Sequence, residues 1–218
     1  MTWIKICGMT NLEDALVAVD AGADAVGFVF HEKSPRNVSP GMACEIVKTL
    51  PKSIERVGVF VGETSQRMDE IAEQVGLTAL QFYRGPWDSA DSGWNVPRGS
   101  QKRIAAVSGG RLSDSDLVGL PVSTLYGVLI DSGPRERPGG TGETFDWTAA
   151  SRGVQEMSYV LSVIIAGGLK PDNVHLAIER LKPWGVDVSS GVEARPGKKD
   201  PERVLAFVKA VRAVDKSA

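Results

Sequence analysis

The chain has 218 residues, 42% of them hydrophobic, with 25 Lys plus Arg against 27 Asp plus Glu and a formal net charge of −2. That length can bury a substantial core as one domain, residues 1–218, and roughly 200 residues is also the lower range for a complete (β/α)8 barrel. The near-neutral balance, with no basic run beside stacking aromatics, argues against nucleic acid as a partner, and no segment approaches the roughly 20 uninterrupted apolar residues that span a bilayer.

The opening segment, MTWIKICGMT, runs straight into an alternating apolar strand without a basic region or a small-residue cleavage site, so a soluble, cytoplasmic protein is expected. Cys7 and Cys44 are too few for a disulfide framework and lack a paired metal-ligand spacing, so both are expected as reduced thiols. Short β-branched runs then alternate with longer stretches of helical period, the pattern of parallel β/α units. In chain order the predicted strands are Trp3 to Cys7, Asp24 to Phe30, Arg56 to Val61, Ala79 to Tyr83, Arg103 to Val107, Tyr126 to Asp131, Val160 to Ala166 and Gly185 to Val188.

Between them, Leu12, Ala15, Leu16 and Val19 share a helical face behind Asn11 as N-cap. Ser39 and Pro40 read as N-cap and first helical residue before Met42, Ile46 and Val47. Val174, Ile178 and Leu181 mark a helix after Pro171, and Val204, Val208 and Val211 the last one after Asp200 and Pro201. Gly85 to Ser100 carries Gly, Pro and Ser without a clear period, so its helix is poorly defined by pattern.

Eight such units could close as a barrel or spread as a doubly wound sheet. A dinucleotide-binding sheet would place its glycine motif after the first strand, but here the glycine-rich turns follow strands seven and eight, as in barrels that bind phosphate there. The predicted fold is therefore a (β/α)8 barrel. Ala166-Gly167-Gly168-Leu169 and Ser189-Ser190-Gly191-Val192 can both expose backbone N–H groups, and Ser189 and Ser190 add hydroxyls, so the two turns form a candidate phosphate site. A tight turn alone would explain a single Gly-Gly pair; two such turns on successive strands favour the ligand.

Cys7 ends the first strand at the face that carries barrel active sites. To act as a base it needs a stabilised thiolate, and Lys5 shares its face roughly 7 Å away at a rise of ~3.3 Å per residue. Asp131 ends the sixth strand after an apolar run; it either caps the next turn or faces Cys7 as an acid faces a base. Such a pair suits an isomerisation that uses no metal or redox cofactor. His31 and His175 are far apart and without ligand spacing, so both read as solvated or structural. Arg36, on a Pro-containing loop after the second strand, is either an unpartnered surface residue or a grip for a substrate carboxylate.

KICGMTNLEDA at 5–15, GADAVGFVF at 22–30, KSPRNVSP at 33–40 and RVGVFV at 56–61 resemble the phosphoribosylanthranilate isomerase family of tryptophan biosynthesis. Leu129-Ile130-Asp131, Gly139-Gly140-Thr141-Gly142, Phe145-Asp146-Trp147, IIAGGLKPDNV at 164–174 and VDVSSGVEARPGKKD at 186–200 extend the resemblance over nearly the whole chain. It implies a cofactor-free Amadori rearrangement of a phosphoribosylated anthranilate to the aminodeoxyribulose phosphate. By motif, Cys7 would be the general base, Asp131 the general acid and Arg36 the carboxylate ligand. Gly167, Gly168, Asp187, Ser189, Ser190 and Gly191 match the family's phosphate-binding segments. The loop carrying Gly139, Gly140 and Gly142 would close over the substrate.

Two departures stand out. Where the family usually reads Gln-Leu-His-Gly, this chain has Gln81-Phe82-Tyr83-Arg84-Gly85, without the histidine, and Ala105 stands in a fifth strand that commonly carries lysine. Rival readings are a histidine-pathway aminoaldose isomerase, expected to use two aspartates, an indole-glycerol-phosphate synthase, and a non-catalytic phosphosugar-binding protein. Monomer and homodimer both fit the apolar helix faces.

Overall fold

The predicted alternation closes on itself. In a computed structural model that describes residues 1–83, 96, 98–108, 122–133 and 144–217, eight parallel strands form a closed barrel in sequential order, with β8 returning to pair with β1. The strands are β1 (Trp3–Cys7), β2 (Ala25–Phe30), β3 (Glu55–Val61), β4 (Ala79–Tyr83), β5 (Lys102–Ser108), β6 (Gly127–Asp131), β7 (Ser162–Ile165) and β8 (Gly185–Val188). Among the described residues six helices surround them: α1 (Leu12–Ala21), α2 (Pro40–Thr49), α3 (Ser65–Val75), α4 (Trp147–Ser158), α5 (Val174–Leu181) and α6 (Pro201–Ser217). None is long and apolar enough to cross a membrane. A short antiparallel pair, β9 (Glu193–Arg195) and β10 (Lys198–Lys199), follows β8.

Helix starts follow local chemistry. Asn11 accepts the Asp14 N–H and Ser39 the Met42 N–H ahead of Pro40, as expected from those N-caps. Met42 is the exception to its helix's apolar face: it is 53% exposed, while Ile46 is buried. Strand ends move by one or two residues. Val160 belongs to the turn after α4, where its N–H donates to Met157 O, and it is exposed. Asp24 precedes β2 because its carboxylate accepts from Ile4 N and Arg212. The unclear helix over Gly85 to Ser100 and the glycine loop at Gly139, Gly140 and Gly142 lie for the most part outside the described residues.

Because strand side chains alternate, Ile4, Ile6, Val26 and Phe28 pack outward under the helices, whereas Trp3, Ala25, Val57, Ala79, Ile104, Leu129 and Ile164 fill the barrel interior. Above that apolar floor the interior turns polar, and the site is built there.

Candidate active site

On β1 the inward positions are Trp3, Lys5 and Cys7. Lys5 is fully buried, which an ammonium tolerates only with partners. Its Nζ lies 3.0 Å from Asp187 Oδ1 of β8 and donates to Gln81 Oε1 of β4 at 2.8 Å. Register explains the first contact, since Lys5 and Asp187 are directly paired across β1 and β8. Burial alone would lower the Lys5 pKa, yet Asp187 and Cys7 raise it above the usual lysine value. Gly27 of β2 supplies room: a Cβ there would stand 2.8 Å from Cys7 Sγ and 2.9 Å from Lys5 Cε.

Cys7 sits beside Val29, Val59 and Tyr83. Burial pushes its thiol pKa up, while Lys5, which also hydrogen-bonds the sulfur, and Lys199 pull it down; the net direction is upward. The predicted partnership with Lys5 is therefore present, and it offsets only part of the burial. Across the mouth, Asp131 ends β6, its Oδ1 accepting the Gly133 N–H at 3.0 Å and its Oδ2 the Tyr83 hydroxyl at 3.0 Å. Burial raises its pKa above the ordinary carboxylate value against both hydrogen bonds.

Cys7 and Asp131 line one cavity of about 450 Å³, together with Arg36, Gln81, Tyr83, Gly167, Gly168, Asp187, Ser189 and Ser190. His31, read from sequence as solvated or structural, also lines it. Gly167 and Gly168 have φ of +81° and +64°, and a Cβ on Gly167 would collide with Ser132 at the end of β6. Gly191 lies outside the cavity lining, packed so closely under Leu169 O that no side chain fits, and so joins the β7 and β8 turns. Asp187 lines the cavity with its carboxylate turned to Lys5.

Arg36 is no free surface residue. Its Nε and a terminal nitrogen donate to Glu193 Oε1 and Oε2 at 2.8 and 2.7 Å, and its stem crosses Gly8, whose φ of +83° and missing side chain admit it. Glu193 also takes Lys199 Nζ, a fully buried ammonium, at 3.0 Å. Sequence reading missed both, because Glu193 and Lys199 are buried at the two ends of a polar stretch whose Ala194, Arg195 and Pro196 are exposed, and no apolar period sets them apart. Arg36 and Lys199 overcome the burial of Glu193 and hold its carboxyl below the usual range. That stability is present above the unfolded carboxyl pKa of about 4.3 and is lost as pH falls through the lower folded value. Glu193→Gln is expected to cost about 2–3 kcal/mol in urea unfolding at neutral pH, because two cations lose their anion. A variant as stable as the parent would show the cluster to be inert.

The chain matches the family model described as N-(5′-phosphoribosyl)anthranilate (PRA) isomerase over residues 4–210. It is 42% identical over 214 residues to the N-(5′-phosphoribosyl)anthranilate isomerase of Pseudomonas fluorescens strain Pf-5, covering 98% of this chain and 97% of that one. With the enzyme of Thermotoga petrophila the identity is 41% over 210 residues, covering 96% and 98%. Among solved structures, phosphoribosyl anthranilate isomerase from Thermotoga maritima superimposes with a TM-score of 0.83 at 39% identity, over 98% of this chain and 100% of that one. A phosphoribosyl anthranilate isomerase in complex with reduced 1-(o-carboxyphenylamino)-1-deoxyribulose 5-phosphate superimposes with a TM-score of 0.78 at 36% identity, over the same shares. With a barrel whose mouth gathers the thiol, the carboxyl and two glycine turns, and with likeness running from end to end, the chain belongs to the N-(5′-phosphoribosyl)anthranilate isomerase family.

Proposed function

We propose that the chain isomerises N-(5′-phosphoribosyl)anthranilate to 1-(o-carboxyphenylamino)-1-deoxyribulose 5-phosphate in tryptophan biosynthesis, with Asp131 as general acid and Cys7 as general base. The observation that carries this reading is the placement of a buried thiol and a buried carboxyl on β1 and β6 around one cavity, with glycine turns between them on β7 and β8. Protonated Asp131 gives its proton to the ribose ring oxygen. The C1′–O bond opens, its electron pair going to oxygen, and the nitrogen lone pair forms an iminium. The Cys7 thiolate removes the C2′ proton, and the C–H pair becomes the enolamine double bond, which then ketonises.

The phosphate goes to the turns of Gly167, Gly168, Ser189 and Ser190, with Gly191 bracing them from beneath. Successive glycines at positive φ leave main-chain N–H groups open to a phosphate without a side chain in the way. Asp187 serves this end indirectly: it neutralises Lys5, and a carboxylate pointed at the phosphate would repel it. Arg36 meets the anthranilate carboxylate with the N–H groups that Glu193 does not occupy, the guanidinium held flat by its two-pronged contact. A small phosphosugar is thus the ligand, in a soluble, cytoplasmic enzyme that needs no cofactor.

The test is to generate phosphoribosylanthranilate in situ and follow loss of its fluorescence. Consumption at a rate proportional to added protein, with the ketose phosphate as product, is expected. A folded chain that binds inorganic phosphate and leaves the substrate untouched would favour the binding-protein reading instead.

A further inference from the structure

Tyr83 stands where the resembled family usually has histidine, and its surroundings define what its hydroxyl does. The lysine ammonium can only donate, so the 2.8 Å contact from Lys5 Nζ fixes Oε1 of the Gln81 amide as the acceptor and leaves its NH2 group facing Tyr83. Gln81 Nε2 donates to Tyr83 Oη at 3.3 Å. The phenolic oxygen is thereby an acceptor on that side, and its own proton is directed to Asp131 Oδ2 at 3.0 Å. Donor direction is therefore set along the whole row from Lys5 to Asp131.

Reaching Asp131 requires the ring to cross a strand, because β5 lies between β4 and β6. The residue paired with Tyr83 on β5 is Ala106, whose side chain is small enough to let the phenol pass above it. The ring also packs against Val29, Val59 and Cys7, so the phenol is packed as well as bonded. Asp131 receives one donor on each oxygen, Gly133 N–H on Oδ1 and Tyr83 on Oδ2, which fixes the plane of the carboxyl group.

We propose that Tyr83 is a positioning residue for the general acid: its hydroxyl holds Asp131 in the plane from which it protonates the ring oxygen and stabilises the carboxylate left when the proton departs. The proposal rests on the acid–base reading above. As the Asp131 O–H bond breaks and the new O–H bond forms on the sugar, negative charge grows on the carboxyl. The Tyr83 hydrogen bond becomes charge-assisted at that moment, so it favours the transition state over the ground state. Among the described residues, the charged groups that act on Asp131 are Lys5 of β1, which favours the carboxylate, and Asp187 of β8, which opposes it.

Tyr83→Phe removes one oxygen and keeps the packed ring. In parent and variant, the Asp131 carboxyl is titrated by 13C NMR, with Asp131→Asn identifying the signal, and kcat and KM are measured for phosphoribosylanthranilate across the pH range. The expected result is a rise of about one unit in the Asp131 pKa, and a fall of about tenfold in the maximal kcat with KM within about twofold of the parent. An unmoved carboxyl pKa overturns the proposal, and so does a raised pKa with kcat at or above the parent value. A parent that leaves the substrate unconsumed overturns the acid–base reading beneath it, and the titration, which needs no substrate, tells the two failures apart.

Discussion

Cys7→Ala and Asp131→Asn are each expected to slow turnover of phosphoribosylanthranilate by about 10²–10⁴, the usual contribution of a positioned base or acid. Neither change should unfold the barrel. Alanine at position 7 leaves only the space of one sulfur beside Val29 and Val59, and asparagine at 131 keeps an oxygen for the Gly133 N–H. Because both groups act on the same substrate, the double variant should be little slower than the worse single one. Fluorescence-monitored turnover of the four proteins, with thermal melts beside it, checks this. Either single variant running within about threefold of the parent would strip that residue of its role.

Lys5→Met is expected to show the largest loss of stability, about 3–5 kcal/mol, because it leaves the buried Asp187 carboxylate without its cation. In a chain of this size that is a fall of roughly 6–20 °C in Tm. Adding Asp187→Leu should restore much of the stability, since an apolar pair of similar volume replaces a buried ion pair at little cost. Activity should not return with it. Lys5 is the strongest influence lowering the Cys7 pKa, so both variants leave burial opposed only by weaker influences such as Lys199, and iodoacetamide should alkylate Cys7 more slowly than in the parent. A single variant that melts within a degree or two of the parent would mean that water or rearrangement compensates Asp187.

The barrel was legible because each strand carried its own local mark. Trp3–Cys7, Ala79–Tyr83 and Gly185–Val188 have the bounds read from the sequence, each ending one or two positions ahead of a Gly or Ser. Val160 was drawn into β7 because a continuous apolar run has no alternation to fix its start, and only the turn bond to Met157 O excludes it. Cys7, Asp131 and the glycine turns were visible as residues at strand ends, where barrel chemistry gathers. Gln81 and Glu193 were not, since what makes them important is a partner 76 positions away for Gln81 and 157 away for Glu193. One clue was in reach: Lys5 alternates with Trp3 and Cys7 on an inward face, and a lysine there demands a buried anion, which Asp187 supplies from the matching position of β8.

The site joins opposite ends of the chain. The Ser189 hydroxyl donates to Cys7 O across 182 positions, and β1 finds β8 only when the ring shuts. In folding, the helices and neighbouring strand pairs can form from short loops, whereas this last pairing pays the entropy of the longest one. Recovery of catalysis after dilution from denaturant is therefore a clock for ring closure, running behind the return of helical signal, and a nascent chain that still lacks β8 has no assembled mouth with which to act.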